Sequence, residues 1–390
     1  MKNQHVHFYR NRRRFLKTLT IGLGSTMVSV PLLSFNQSHE HKAEIKPNTK
    51  PIQDQKMGIA LVGLGQYSSN QLAPALQEAE HCYLAGIVTG TPAKADAWKA
   101  KYEIPEKNIY NYENFDQIAD NEDIDIVYVV LPISMHAEYT IRAAKAKKHV
   151  ICEKPMAMNA VEAQKMVDAC GENGVQLAIG YRLHFEPFNK RVMELGQQQV
   201  YGKVKSIQVD NSSDMTDGNP DVWRLRKDLA GGGPLMDLGI YCVQGACYTL
   251  GKLPVAVTAQ FGEVTNPAYF YEVEESVSWE MEFEDGVVAK CTTSYADEDE
   301  KSLLSAEAEN GWWKVDPSYA YDDKEGETNE GRMDHPNVYE QVHQMDGQAQ
   351  SFLKNKKSIV PGEMGVNDMK ILMAIYESAQ ADGKKVKLEF

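Results

Sequence analysis

Met57-Gly-Ile-Ala-Leu-Val-Gly-Leu-Gly65 is the stretch on which the fold turns. A short apolar run enters directly into Gly63-Leu64-Gly65, and beyond it Leu72, Ala75, Leu76 and Ala79 recur at helical spacing between Asn70 and Ala79. Strand, glycine turn and helix together leave backbone N–H groups exposed at a helix N-terminus, where a pyrophosphate can sit. The third small position of that fingerprint is Ser68 rather than Gly or Ala, so the motif must be judged by what surrounds it.

Working outward, the next strand, Tyr83–Val88, ends in Thr89-Gly90-Thr91 with Lys94 just beyond and no acid. NAD enzymes commonly place Asp or Glu there to hold the ribose hydroxyls. Hydroxyls and an ammonium suit a 2′-phosphate instead, which favours NADP. Ile124–Leu131 is nearly continuous in apolar residues, as in a strand buried on both faces, and it ends at Pro132. His136 opens a helix to about Lys147, and the strand His149–Cys152 then delivers Glu153-Lys154-Pro155. A helix at Ala160–Glu172 and a strand at Val175–Gly180 follow. Regular β/α alternation over residues 57–180 predicts a Rossmann domain, a doubly wound parallel sheet.

After Gly180 the rhythm changes. Val277, Trp279, Met281 and Phe283 alternate with polar residues, and Asp285-Gly286 supplies a hairpin turn before Val287–Thr292. Val255, Val257, Ala259 and Phe261 alternate likewise, and Val204–Asp210 reads as a further strand. Residues 181–390 therefore form an α+β domain with an open, mostly antiparallel sheet, a surface suited to oligomerisation. A helix from about Val366 to Ala381 closes the chain. Between the strands lies Trp223-Arg-Leu-Arg-Lys-Asp-Leu-Ala-Gly-Gly-Gly-Pro-Leu-Met-Asp237-Leu-Gly-Ile-Tyr241. Pro234 suits a first helical turn. Asp237, Tyr241, Gln244 and Tyr248 then fall on one polar stripe, and the triple glycine permits close approach to a ligand or to the first domain.

The chain has 390 residues, enough for two to three domains, with 43% hydrophobic and 25% charged residues, an ordinary globular mixture. Its net charge is −14, although residues 1–38 hold Lys2, Arg10, Arg12, Arg13, Arg14 and Lys17 and no acid. A body this acidic argues against nucleic acid and anionic membrane as partners. The six cysteines form no C-x-x-C pair and no Cys/His cluster of zinc spacing, so neither a disulfide scaffold nor a metal site is expected.

Asn11-Arg12-Arg13-Arg14-Phe15-Leu16-Lys17 followed by an apolar stretch to Phe35 resembles a twin-arginine export signal. Thr, Gly, Ser and Pro31 dilute the stretch, a poor permanent membrane span. Residues 1–38 are read as that signal and 39–56 as a linker or arm, which places the protein in the periplasm. The twin-arginine route carries folded proteins, so the signal hints at a tightly held cofactor.

Ordered motifs from Met57 to the C-terminus resemble the glucose–fructose oxidoreductase / inositol dehydrogenase family of NAD(P)-dependent sugar oxidoreductases. They are Gly63-Leu-Gly-Gln-Tyr67, Leu131-Pro-Ile-Ser-Met-His136-Ala-Glu138, Cys152-Glu-Lys-Pro-Met-Ala157, Gly180-Tyr-Arg182, Trp223-Arg-Leu-Arg226 and Ala230-Gly-Gly-Gly-Pro-Leu-Met-Asp237-Leu-Gly-Ile-Tyr241. The resemblance implies that Tyr241 is the acid/base, that Lys154 orients the sugar hydroxyl and favours the phenolate, and that Asp237 binds sugar hydroxyls. An isolated phenol, with a pKa of about 10, needs such a neighbour to act as a base near neutrality.

The implied cofactor cleft takes in Gly63, Leu64, Gly65, Gln66 and Tyr67 of the glycine turn, then Thr89 and Lys94. Leu131, Pro132, His136, Glu153 and Lys154 belong to it, as do Arg182, Trp223 and Arg224. Glu153 anchors its loop, Lys154-Pro155 is a candidate cis peptide, and Tyr321 falls near the adenine. Gln66 and Thr89 replace a basic residue and a serine in the family pattern.

The implied activity is ping-pong hydride transfer on a retained NADP. A glucose-like aldose is oxidised to its lactone and a fructose-like sugar is reduced to a polyol, in a homodimer or homotetramer. An NAD-dependent glycosidase of the same superfamily is the alternative.

Overall fold

The structure is a computed structural model describing residues 55–390. The twin-arginine segment and all but the last residues of the arm lie outside the described residues. Six parallel strands form the first sheet: β1 (Met57–Val62), β2 (Cys82–Val88), β3 (Ile109–Tyr110), β4 (Ile126–Val129), β5 (His149–Cys152) and β6 (Leu177–Ile179). Their order is β3-β2-β1-β4-β5-β6, the doubly wound arrangement in which ligands bind beyond the carboxyl ends, where the order reverses between β1 and β4.

Period-two alternation explains why β1 is apolar throughout. Ile59 and Leu61 pack on one face with Leu72, Ala75 and Leu76, and Ala60 and Val62 pack on the other with Ala143, Ala163 and Met166. Each large side chain so buried is worth about 1.5–3 kcal/mol of transfer free energy. The flanking helices are α1 (Ala73–Glu78), α2 (Pro92–Tyr102), α3 (His136–Lys145) and α4 (Ala160–Glu172).

The helix expected from Asn70 starts earlier: Gln66 and Tyr67 are α-helical, Ser68–Leu72 widen into a π-turn, and the α-helix resumes at Ala73. Pro74 lacks the N–H that an α-turn would require there, and the wider turn lies just ahead of it. The strand expected at Val175–Gly180 is confined to Leu177–Ile179.

The second sheet has nine strands in the order β14-β13-β12-β11-β7-β10-β9-β8-β15. They are β7 (Val204–Ser212), β8 (Ala256–Phe261), β9 (Ser276–Glu282), β10 (Val288–Ser294), β11 (Ser302–Ala308), β12 (Trp312–Val315), β13 (Gly326–Thr328), β14 (Gly331–Arg332) and β15 (Val386–Lys387). Only the β7/β10 neighbours run parallel. Val277, Trp279 and Met281 point into the core while Ser278 and Glu280 are exposed, as the alternation requires. The pattern fails at the ends of β8. Val255 precedes the strand and is exposed, and Phe261, its last residue, stays 38% exposed although its ring lies 6.3 Å from that of Tyr376.

Helix α5 (Pro187–Gln197) lies on the second sheet, and the short α6 (Lys227–Ala230) packs against the turns at Ile133–Met135 and Trp223–Leu225. Helix α7 (Ile240–Leu250) returns to the sheet, and the chain ends through α8 (Glu340–Leu353) and α9 (Gly362–Gln380). Helix α8, absent from the sequence reading, returns to the first sheet. Its Met345, Ala349 and Phe352 pack with Ile59, Leu61 and Ile151. Asp346 accepts from the backbone N–H groups of Glu80 (2.9 Å) and His81 (2.7 Å), and Gln348 donates to Ile179 O at 2.8 Å. Helix α9 packs on both α4 and β8 and starts four residues earlier than expected. A Cβ on Gly362 would come within 2.9 Å of a Leu177 methyl and 3.0 Å of a Val167 methyl, so the helix start packs closely on the first half.

The triple glycine permits the close approach expected of it: a Cβ on Gly231 would lie 3.3 Å from Met158 Sδ of the first half. A Cβ on Gly232 would lie 1.9 Å from Tyr376 Oη, and one on Gly233 would lie 2.4 Å from Glu274 O. All six cysteines are buried free thiols. Among the described residues no helix is long and apolar enough to cross a membrane, and no cluster of His, Cys, Asp or Glu could hold a metal ion.

Candidate active site

A cleft of about 840 Å³ opens beyond the carboxyl ends of β1, β2, β4 and β5 and is closed from above by the second half. From the first half it is lined by Gly63, Leu64, Gly65, Gln66, Tyr67, Thr89, Lys94, Leu131, Pro132, His136, Glu153 and Lys154. Arg182, Trp223, Arg224, Asp237, Tyr241 and Tyr321 face it from the second. Every site residue named from the sequence is therefore brought to one cleft.

At one end lies the glycine turn. Gly63 has φ +93°, and a Cβ there would approach Val130 O to 2.3 Å, so the turn needs glycine. Nothing lies within 4 Å of a Cβ built on Gly65, which leaves room for a phosphate against the backbone. Ser68 Oγ ties the turn by donating to Gly63 O at 2.6 Å. Thr89 Oγ1 accepts from Thr91 N at 3.2 Å, and Lys94 Nζ donates to Leu64 O at 3.2 Å, joining α2 to the turn. Among the described residues no carboxylate lines this corner. The hydroxyl of Tyr67, hidden from solvent, has no partner among the described residues and belongs to the cleft wall. An open glycine turn, an acid-free corner and an unsatisfied hydroxyl fit a dinucleotide.

His136 and Glu153 act as braces. The imidazole lies between Leu131 O (2.9 Å) and Pro155 O (3.0 Å), clamping the loops after β4 and β5, so no ring nitrogen is left for a cofactor. Its burial holds the pKa below the ordinary histidine value despite the two carbonyls. Glu153 accepts from Tyr128 Oη at 2.6 Å and from Lys154 N at 3.3 Å, and burial raises its pKa. The Lys154-Pro155 peptide is cis.

At the other end is the chemistry. Asp237 lies in a second π-turn, Leu235–Gly239, and Tyr241 is the second residue of α7. Lys154 Nζ donates to Asp237 Oδ1 at 2.9 Å and to its backbone O at 2.7 Å. Arg224 Nε and Tyr295 Oη both reach Oδ2 at 2.9 Å. Burial alone would raise the Asp237 pKa, but Lys154 and then Arg224 outweigh it and hold the carboxyl well below the usual range. Burial likewise opposes the charge on Lys154, yet Asp237 and Tyr241 keep its pKa above the ordinary lysine value.

With two hydrogens committed, Lys154 has one N–H left, and its Nζ lies 4.5 Å from the centroid of the Tyr241 ring. Asp237, expected to bind sugar hydroxyls, has three donors on its carboxylate and chiefly aims the lysine. The expected polar stripe divides: Asp237 and Tyr241 face the cleft, while Gln244 and Tyr248 are buried beneath it on Asp368 (2.6 Å) and Asn189.

Arg182 is 3% exposed, and Nε donates to Tyr241 Oη at 3.3 Å. Tyr321, placed near the adenine from sequence, makes its contacts at the chemical end. It covers the Arg182 guanidinium at 4.5 Å and stacks on Tyr67 at 6.2 Å. Tyr295 and Glu340, which complete these networks, carry no motif that sequence reasoning could have used.

Residues 57–181 match the oxidoreductase family with an NAD-binding Rossmann fold, and residues 189–313 match the GFO/IDH/MocA C-terminal domain. The aldose-aldose oxidoreductase of Caulobacter crescentus, solved with glycerol, is 36% identical, covers 86% of this chain and 100% of its own, and superposes with a TM-score of 0.83. D-xylose 1-dehydrogenase [NADP(+)] of Haloarcula marismortui is 29% identical over 84% of this chain and 92% of its own. D-glucoside 3-dehydrogenase of Escherichia coli is 27% identical over 85% and 97%. The chain belongs to the GFO/IDH/MocA family of NAD(P)-dependent oxidoreductases.

Proposed function

We propose that the protein is an exported, periplasmic sugar oxidoreductase that retains NADP, oxidises an aldose to its lactone and reduces a second sugar to a polyol, as a homodimer or homotetramer. The observation that carries the reading is the meeting of Lys154, Asp237 and Tyr241 at the end of a dinucleotide-shaped cleft opposite Thr89 and Lys94. The 36% identity to an aldose-aldose oxidoreductase supports sugars on both sides of the reaction. The acid-free corner at Thr89–Lys94 supports NADP.

A bound nicotinamide would supply hydride acceptance and donation; everything else falls to the chain. Lys154 offers its remaining N–H to the reacting hydroxyl of the sugar. Tyr241 Oη takes that hydroxyl's proton as the C–H bond gives up its hydride, and the sugar leaves as a lactone. In the second half-reaction Tyr241 returns the proton to the carbonyl oxygen of the acceptor. Asp237 keeps Lys154 charged and aimed through both halves. Two half-reactions in one cleft balance their electrons without a replenished nicotinamide pool, which an exported enzyme would lack.

The test is product analysis. Purified protein given glucose and fructose, with no added nucleotide, should yield lactone-derived acid and polyol in equal amounts by NMR. Turnover only when NAD(P) is supplied would make the protein an exchanging dehydrogenase and remove the ping-pong reading.

A further inference from the structure

Lys154 approaches the ring face of Tyr241, but the phenol oxygen is reached by Arg182, whose Nε donates to it at 3.3 Å. Its guanidinium carbon also lies 5.3 Å from the Tyr241 ring centroid. Most of the rest of the Arg182 fork is committed: Nη1 pairs with Glu340 and reaches Ala320 O at 3.5 Å, and Nη2 donates to Tyr319 O at 2.5 Å. Glu340, with 0% exposure, also takes Lys324 Nζ at 3.1 Å, and Lys324 is 3% exposed.

Two buried cations thus share the Glu340 carboxylate, and Glu186 and Asp322 act in addition on Lys324. Buried charge of this kind is costly unless an anion answers it. The remaining groups that face Tyr241 are Lys154, Tyr67, Tyr321, Tyr319 with its ring 5.5 Å away and, behind Lys154, Glu153. Of these, Lys154 already belongs to a second cluster of the same form, in which it and Arg224 share Asp237. The oxygen best placed to carry the answering negative charge is that of Tyr241.

We propose that Arg182, held by Glu340 and Lys324, is the positioning residue of Tyr241: it fixes the phenol oxygen in the cleft and stabilises the negative charge that oxygen carries when it is ready to take a proton. The proposal rests on Tyr241 as the acid/base. Atoms balance simply, because the phenolate oxygen gains the proton of the sugar hydroxyl and becomes neutral while the guanidinium stays protonated throughout. Glu340 sits in the first turn of α8, whose far end packs on the nucleotide-binding sheet, so the brace is anchored on the layer that would hold the cofactor.

The experiment is a pH profile of single-turnover aldose oxidation, with nucleotide retention measured in parallel, for wild type and for Arg182→Met, Arg182→Lys, Lys324→Met and Tyr241→Phe. Arg182→Met should move the pH of half-maximal rate upward by about one unit or more, a roughly tenfold loss near neutrality that alkali recovers. Arg182→Lys keeps the charge and should restore most of the profile. Lys324→Met touches neither the cleft nor Tyr241, yet it removes one positive charge from the cluster and should move the profile the same way by less. Should Arg182→Met not fold, the Lys324→Met profile decides alone. An unchanged profile in the neutral variants, with nucleotide retained and Tyr241→Phe inactive, overturns the positioning role only. Full turnover by Tyr241→Phe would instead remove the acid/base reading on which it stands.

Discussion

Asp237 accepts from Lys154, Arg224 and Tyr295 and is the single anion between two cations. Truncating it to Ala leaves the buried Lys154 without its anion while Arg224, 42% exposed, keeps solvent, so the loss falls at the low end of the buried-pair range, about 3 kcal/mol of stability. Chemical denaturation of Asp237→Ala should show that loss, together with failed sugar oxidation. Asp368, by contrast, is a buried acid outside the cleft. Its Oδ2 accepts from Tyr181 and Gln244, and burial pushes its pKa up to about 7. An acid whose pKa is raised on folding holds its proton longer in the folded state. Its stabilising contribution is therefore complete below the unfolded value near 4 and is lost as pH rises towards 7. Asp368→Asn keeps an acceptor for both donors and should flatten stability across that window, where wild type loses up to about 1.4 kcal/mol per pH unit from this group. Equal slopes in denaturant titrations at pH 4 to 8 would show that Asp368 does not titrate there. At this scale the sequence names Lys154, Asp237 and Tyr241 because they sit in contiguous motifs. Tyr295, 58 residues from Asp237, and Glu340, 158 from Arg182, are joined to the site only by folding.

Among the elements, the strand ends carry the site and were legible, since continuous apolar runs stop where Gly63, Thr89, Pro132 and Glu153 begin. Helix α8 was not. Its buried face includes Glu340, Gln341, Gln344 and Gln348, polar residues at helical spacing whose partners are Arg182, Tyr128 and the Ile179 carbonyl among others. Met345, Ala349 and Phe352 do recur at helical spacing, but the polar residues that fill the rest of the buried face dilute that apolar period. The two π-turns were equally hidden, because residues 237 and 241 satisfy an α-helical spacing on paper. Gly180 illustrates how tightly the elements are set: a Cβ there would lie 2.4 Å from Glu153 Oε1, a buried carboxyl held by Tyr128. Gly180→Ala should cost about 1–3 kcal/mol by overpacking and displace the Lys154 loop, read as a lowered Tm with weakened nucleotide retention.

Across the molecule, a chain of net charge −14 presents Lys94, Lys154, Arg182 and Arg224 to a single cleft. Local field rather than overall charge governs what enters it. The composition therefore excluded polyanions in general without excluding one dinucleotide. Lys94 stands at the corner where an NADP 2′-phosphate is expected and is tethered to Leu64 O by one N–H. Lys94→Glu should weaken NADP binding by about tenfold or more while sparing NAD, because an ion-assisted hydrogen bond of about 1.5–3 kcal/mol is replaced by repulsion. Titrations with both nucleotides measure that ratio directly, and an unchanged ratio would assign phosphate recognition elsewhere. Helices α8 and α9 bind the halves from both faces of the first sheet, so cleft geometry depends on segments distant in sequence. That long-range closure is why the fold was legible element by element while the bracing of its site was not.

The most direct measurement is the absorbance of the purified protein without added nucleotide, for wild type and Tyr241→Phe, before and after an aldose and then a second sugar. In wild type a reduced-nicotinamide band should rise with the first sugar and vanish with the second, while Tyr241→Phe keeps its nucleotide but develops no band. A band rising at the wild-type rate in Tyr241→Phe, or none in wild type that carries bound nucleotide, would contradict proton transfer by Tyr241 on a retained cofactor.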